Sequence, residues 1–165
     1  MLIYTLEGFQ KHPQIDAIEV VCIDGWHDVV WAYAKQFGID KLKWIVSGGK
    51  TGQESIRNGV YNLEGKVSDD EIVIIHDGIR PLVDETVLTD VIVKAQKYGN
   101  AVTSLPYNEQ KIDIYGSSYT NTMMVELGER LYFAAGSDKN IKLTTKDDLE
   151  MFKGYLKMDK DTWLK

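Results

Sequence analysis

The sequence predicts one α/β domain, spanning 1–165, with a mainly parallel sheet and flanking helices, and three observations carry that expectation. Short β-rich apolar runs alternate with longer stretches of helical spacing, the order produced when each strand is followed by a crossover helix. Glycines stand where two of those helical stretches stop, at Gly38 and Gly99. The 165 residues are 44% hydrophobic and 27% charged, which suits a single domain with a sizeable core.

The elements follow in order. "MLIYTLEGFQK" reads as a helix from the outset, with Ile3, Leu6 and Phe9 as its apolar stripe, although an α/β domain ordinarily begins with a strand. "AIEVVCI" at 17–23 is the first strand, and "GWHDVVWAYAKQFG" is a helix with Val29, Val30, Ala32, Tyr33 and Phe37 on one side. "LKWIV" at 42–46 is the second strand, followed by a glycine pair and a helix containing Ser55, Ile56 and Val60. "EIVIIH" at 71–76 is a third strand. Residues 84–98 form a helix that turns Val87, Leu88, Val91, Ile92 and Ala95 inward. "AVTSL" at 101–105 and "RLYFAA" at 130–135 are further strands, whereas 107–116 shows no convincing element. The last helix starts at Thr145, whose hydroxyl caps it, with Asp147 and Asp148 in the first turn and Leu149, Phe152 and Leu156 facing inward.

Composition removes several functional classes. The net charge of −6 argues against a nucleic-acid-coating surface, though not against a local phosphate site. The single cysteine, Cys22, has no internal disulfide partner and no zinc-site spacing around it, which points to a reducing, cytoplasmic setting. Apolar runs of about six residues fall well short of the roughly 20 that a membrane helix needs, and no secretory leader is apparent.

Ligands of open α/β sheets bind beyond the carboxyl ends of the strands, so the residues just after each strand are the candidates. "IVIIHDGIRP" ends in Asp77, which is placed either to hold a hard cation such as Mg²⁺ or to cap a turn in company with Arg80. His76 reads as a satisfied, half-buried histidine and Cys22 as a core residue of its strand. "IVSGGKTGQES" places Gly48 and Gly49 before a helix, where the backbone can approach a flat ligand and the helix amides can face oxygen, or where an ordinary glycine turn stands. The spacing is neither GxxxxGK[ST] nor GxGxxG. In "GSDKNIKLTTKDDL", Lys142 either fixes a phosphate as a point charge or lies on a strand edge facing water. An aspartate, a glycine loop, hydroxyls and a lysine together suit phosphate chemistry on a nucleotide or sugar. No Ser/His/Asp order or Cys/His pair suggests a hydrolase.

"LIYTLEGFQKHPQIDAIEVVC", "SGGKTGQESIRNGV", "IVIIHDGIRPLVDE" and "GSDKNIKLTTKDDLEMFKGYL" resemble successive blocks of the 2-C-methyl-D-erythritol 4-phosphate and ribitol-5-phosphate cytidylyltransferases. The resemblance implies a Rossmann-like nucleotidyltransferase fold, a homodimer, Mg²⁺, and transfer of CMP from CTP to a sugar-alcohol phosphate with release of pyrophosphate. It implies that Asp77 binds the metal at the CTP phosphates, that Gly48, Gly49 and Ser55 hold CTP around the cytosine, and that Lys142 contacts the acceptor phosphate. Ser118 falls where the family usually has a threonine that helps hold the acceptor. Methylerythritol phosphate is the leading acceptor on these blocks, with ribitol 5-phosphate next. A catalytically inactive scaffold or nucleotide sensor is the alternative of a different class.

The sequence also departs from the family pattern. The strand and Gly-rich loop that open the family are absent before Met1, and a segment carrying the dimer arm is absent near 110–111. Gly52 stands where an arginine is usual, Lys50 where an acidic or polar residue is common, and "SYT" replaces T-D-D. Removal of a central strand would leave buried backbone groups unpaired at about 1–3 kcal/mol each. A longer parent chain, by roughly 60 to 70 residues, is therefore expected.

Overall fold

The computed structural model describes residues 1–105, 124–125 and 127–158. Two parallel ladders organise them. β1 (Ile18–Cys22) pairs in parallel with β2 (Leu42–Ser47), with Cys22 opposite Ser47 at the carboxyl ends and an irregularity in register between Ile18 and Glu19. β3 (Val102–Ser104) pairs in parallel with β4 (Phe133–Ala135). Each is a two-stranded sheet.

Helices surround the first ladder. α1 (Leu2–Lys11) buries Thr5, Leu6 and Phe9, and α2 (His27–Gln36) forms the crossover between β1 and β2. α3 (Gly52–Asn62) lies close to β1: a side chain at Gly59 would come within 2.9 Å of Val21 Cγ2, so only glycine permits this approach. α4 (Glu85–Tyr98) buries Leu88 and Ile92 and ends at Gly99 with φ +86°, a left-handed cap that glycine adopts without strain. α5 (Lys146–Met158) buries Phe152, which meets the Tyr4 ring of α1 edge-on at 5.3 Å. Leu6, Phe9, Ile18, Val20, Val30, Ala34, Ile39, Leu42 and Leu88 form one core. His12 is buried at the end of α1, bonded through Nε2 to Thr89 Oγ1 at 3.0 Å and accepting at Nδ1 from the Gln14 amide. Among the described residues no helix is long and apolar enough to cross a membrane.

Two expectations need correction. Residues 71–76, expected as a third strand, form none: no backbone ladder joins them to another segment among the described residues. Ile74 packs against the core, whereas Ile72, Val73 and Ile75 remain exposed. On α2 only Val30 and Ala34 are buried, while Val29, Ala32, Tyr33 and Phe37 are exposed. A two-stranded ladder is too narrow to cover the whole apolar side of that helix. The expected emptiness of 107–116 lies outside the described residues.

Candidate functional site

Asp77 follows the segment 72–76 and begins a turn in which the Arg80 amide donates to the Asp77 carbonyl at 3.0 Å. The guanidinium of Arg80 returns along the same turn, with Nε 3.1 Å from Asp77 Oδ2, and donates from Nη1 to the carbonyl of Asn140 at 2.8 Å. Lys142 Nζ lies 3.6 Å from that same Asp77 oxygen. The Leu143 amide donates to the Ile79 carbonyl at 3.0 Å, so the Asn140–Leu143 stretch is tied to the Asp77 turn by backbone as well as by charge. Two segments that are remote in sequence thus bring a carboxylate and two cations together. The structure shows the turn reading of Asp77, paired with Arg80, and its side chain is 49% exposed. Lys142 faces Asp77 while remaining 48% exposed.

The turn rests on α1. Thr5 Oγ1 donates to the Gly78 carbonyl at 2.9 Å, and the His76 ring packs on Phe9 with centroids 5.1 Å apart. Burial pushes the His76 imidazole below its ordinary value of 6.5, against the opposing pull of the Arg80 carbonyl and Asp77. Its Nε2 lies 3.1 Å from that carbonyl, the satisfied role expected for this residue. The Cys22 thiol is pushed up first by burial and then by Asp24, which makes it a poor nucleophile.

The glycine loop is assembled separately. The Gly48 amide donates to the Cys22 carbonyl at 2.7 Å, and the Gly49 amide to Ser55 Oγ at 3.0 Å. Ser55 Oγ donates in turn to the Thr51 carbonyl. Thr51 caps α3 by accepting from the Glu54 amide at 3.1 Å, and the Glu54 carboxylate accepts from the Lys50 amide at 2.6 Å. The amides of Gly48, Gly49, Lys50 and Glu54 are therefore satisfied internally. What the loop presents is a surface without side chains: a Cβ at Gly48 would lie 3.1 Å from Ser55 Oγ, and one at Gly49 only 2.2 Å from Glu54 Cβ. Among the described residues no hydrogen bond or ion pair joins this loop to the Asp77 cluster. Ser118 lies outside the described residues.

Asp77 suits a hard cation that takes one carboxylate and completes its shell from substrate phosphates and water, the usual manner of Mg²⁺. Among the described residues no three His, Cys, Asp or Glu side chains converge into a metal site. Sequence reasoning missed the anchoring of Arg80 on Asn140 and a polar cluster of Asp24, Ser47 and His27 at the ends of β1 and β2. The signal for the latter was available: all three residues lie at the carboxyl ends of consecutive parallel strands or just beyond them.

A parallel α/β fold carrying a glycine loop and a carboxylate–cation cluster after its strands belongs to the nucleotide-handling class. A family model described as 2-C-methyl-D-erythritol 4-phosphate cytidylyltransferase matches residues 1–114. A ribitol-5-phosphate cytidylyltransferase of Lacticaseibacillus paracasei is 51% identical over 200 positions, covering 95% of this chain and 86% of that protein. A 2-C-methyl-D-erythritol 4-phosphate cytidylyltransferase of Syntrophus aciditrophicus is 29% identical over 202 positions, covering 96% and 84% respectively. A crystallised 4-diphosphocytidyl-2C-methyl-D-erythritol synthase shares the fold, with a TM-score of 0.77 over 94% of this chain and 89% of that one at 21% identity. The chain belongs to the 2-C-methyl-D-erythritol 4-phosphate cytidylyltransferase family and is a nucleotidyltransferase by that membership. Both aligned spans are longer than the 165-residue chain itself, so both relatives have residues inside the span that this chain lacks.

Proposed function

We propose that the protein transfers CMP from CTP to ribitol 5-phosphate and releases pyrophosphate. The observation that carries the reading is the meeting of Asp77 and Lys142 at 3.6 Å, which places a metal-competent carboxylate beside a cation suited to a phosphate. The 51% identity to a ribitol-5-phosphate cytidylyltransferase, against 29% for a methylerythritol phosphate enzyme, supports a pentitol acceptor. This reverses the order of acceptors suggested by the sequence blocks.

In this reading a phosphate oxygen of the acceptor attacks the α-phosphorus in line, and the bond from that phosphorus to the bridging oxygen of pyrophosphate breaks. No protein nucleophile takes part, so catalysis is positioning and charge neutralisation. Lys142 holds the acceptor phosphate and offsets charge at the reacting centre. Arg80, fixed at Nη1 by the Asn140 carbonyl, keeps the Asp77 carboxylate oriented. Gly48, Gly49 and Ser55 hold the cytosine against the open glycine surface, and Ser118 contributes to the acceptor site. Asp77 would hold Mg²⁺, which when bound neutralises triphosphate charge. A homodimer working in the cytoplasm completes the reading.

Pyrophosphate release from CTP with Mg²⁺ tests it, with ribitol 5-phosphate and 2-C-methyl-D-erythritol 4-phosphate supplied separately. We expect kcat/KM to be at least about tenfold higher with ribitol 5-phosphate. The opposite preference would assign the methylerythritol acceptor. Silence with both, together with no calorimetric CTP binding, would leave the scaffold reading.

A further inference from the structure

We propose that Asp24, Ser47 and His27 form a diol-binding subsite beside the glycine loop, taking either the ribose of the nucleotide or the hydroxyl chain of the polyol phosphate. The inference rests on the nucleotidyltransferase reading above and names residues to which that reading gives no role.

The three side chains come from three places. Asp24 lies in the turn after β1, His27 opens α2, and Ser47 ends β2 directly before Gly48. The parallel register sets Cys22 opposite Ser47, which brings the turn after β1 against the start of the glycine loop. The Ser47 hydroxyl donates to Asp24 Oδ1, and His27 Nε2 lies 3.3 Å from the same hydroxyl oxygen. Because the Ser47 proton is committed to Asp24, His27 is the donor in the second bond. The network therefore fixes the carboxylate and leaves its other oxygen as a free acceptor.

Two observations separate this carboxylate from an ordinary turn residue. Asp24 does not cap the adjacent helix, since α2 has Trp26 at its N-cap and no side-chain capping bond. It is also exposed, and no ion pair reaches it among the described residues. An oriented carboxylate without a cation repels phosphate and selects hydrogen-bond donors: one hydroxyl of a diol reaches the free Oδ2 and its neighbour the second lone pair of Oδ1. Gly25, at φ +85°, turns the chain so that Trp26 stands 54% exposed next in sequence. Its indole offers an apolar face to the C–H side of a sugar. The amides of Gly48, Gly49 and Lys50 are committed internally, so none of these three is available as an oxyanion donor to the Ser/His/Asp set.

The test is isothermal titration of the full chain, with Mg²⁺, by four probes: CTP, 2′,3′-dideoxy-CTP, ribitol 5-phosphate and n-propyl phosphate. Wild type should bind one hydroxylated probe at least about tenfold tighter than its hydroxyl-free counterpart. That ratio should fall to within about twofold in Asp24→Ala, and Ser47→Ala should reduce it in the same direction. Collapse of the CTP ratio assigns the ribose, and collapse of the ribitol ratio assigns the acceptor chain. If Asp24→Ala fails to fold, Asp24→Asn with Ser47→Ala gives the same comparison. Tight CTP binding with both ratios unchanged would overturn the subsite and leave the nucleotide reading standing. Failure of wild type to bind any probe would remove both.

Discussion

One oxygen of Asp77 is shared by Arg80 Nε and Lys142 Nζ, and the three side chains are between 34% and 49% exposed. Ion pairs at that exposure contribute at most about 1 kcal/mol each, so the cluster is poorly explained as a stabilising device. Asp77→Ala should therefore lower kcat by at least about 100-fold while shifting the melting temperature by no more than a few degrees. Matched stopped-flow and calorimetric measurements check this, and unchanged turnover would remove the metal role. Asp77 was singled out in the sequence because it follows an apolar run, and Lys142 because it lies between Ile141 and Leu143 before a helix start. The carbonyl of Asn140 that holds Arg80 was not, since a contact between residues 60 apart depends on packing that no local pattern encodes.

At the scale of elements, capping was readable and burial less so. Thr145 accepts from the Asp148 amide at 3.2 Å, the cap that the sequence suggested for α5, while Asp148 Oδ2 accepts from the Thr144 and Thr145 amides at 2.8 Å each. α2 shows the opposite case: periodicity identified the helix but overestimated its buried face, because the width of the ladder beneath it is not written in the helix. α4 offers a pH test. Asp84 is its N-cap, and the Thr86 hydroxyl, then the Thr86 amide, holds the carboxyl below its ordinary value of 3.8. A depressed folded-state value stabilises fully above about 3.8 and is lost as pH falls through the lower folded value. Asp84→Asn retains a capping oxygen without the charge, so its deficit in melting temperature should be present at pH 6 and should shrink towards pH 3. A deficit independent of pH would contradict the assignment. In the glycine loop, Gly49→Ala sets a Cβ against Glu54 at the start of α3. It should destabilise by about 1–3 kcal/mol in urea unfolding and weaken CTP binding, whereas a neutral result would mean that the loop yields freely.

For the whole molecule, the most informative feature is what the two ladders leave unpaired. Residues 72–76 lead into Asp77 with Ile72, Val73 and Ile75 at 39%, 47% and 53% exposure. The sequence identified this run as a strand from its β-branched content, but a strand exists only where a partner supplies a ladder, and none does among the described residues. Apolar side chains exposed in one run favour self-association. Ile75→Lys should reduce light scattering at high protein concentration with little change in melting temperature, and undiminished scattering would place self-association elsewhere. The α/β class and the order of elements were thus readable from periodicity, whereas the division into two ladders depends on which strands find neighbours.

The central claim is that Asp77 and Lys142 serve one cytidylyl transfer. Its most direct test is ³¹P NMR of wild type, Asp77→Ala and Lys142→Met incubated with CTP, Mg²⁺ and ribitol 5-phosphate. The account predicts that wild type produces paired diphosphate-diester resonances together with free pyrophosphate, and that both variants leave CTP unconverted over the same period. Equal product from either variant, or no diester from wild type, would contradict it.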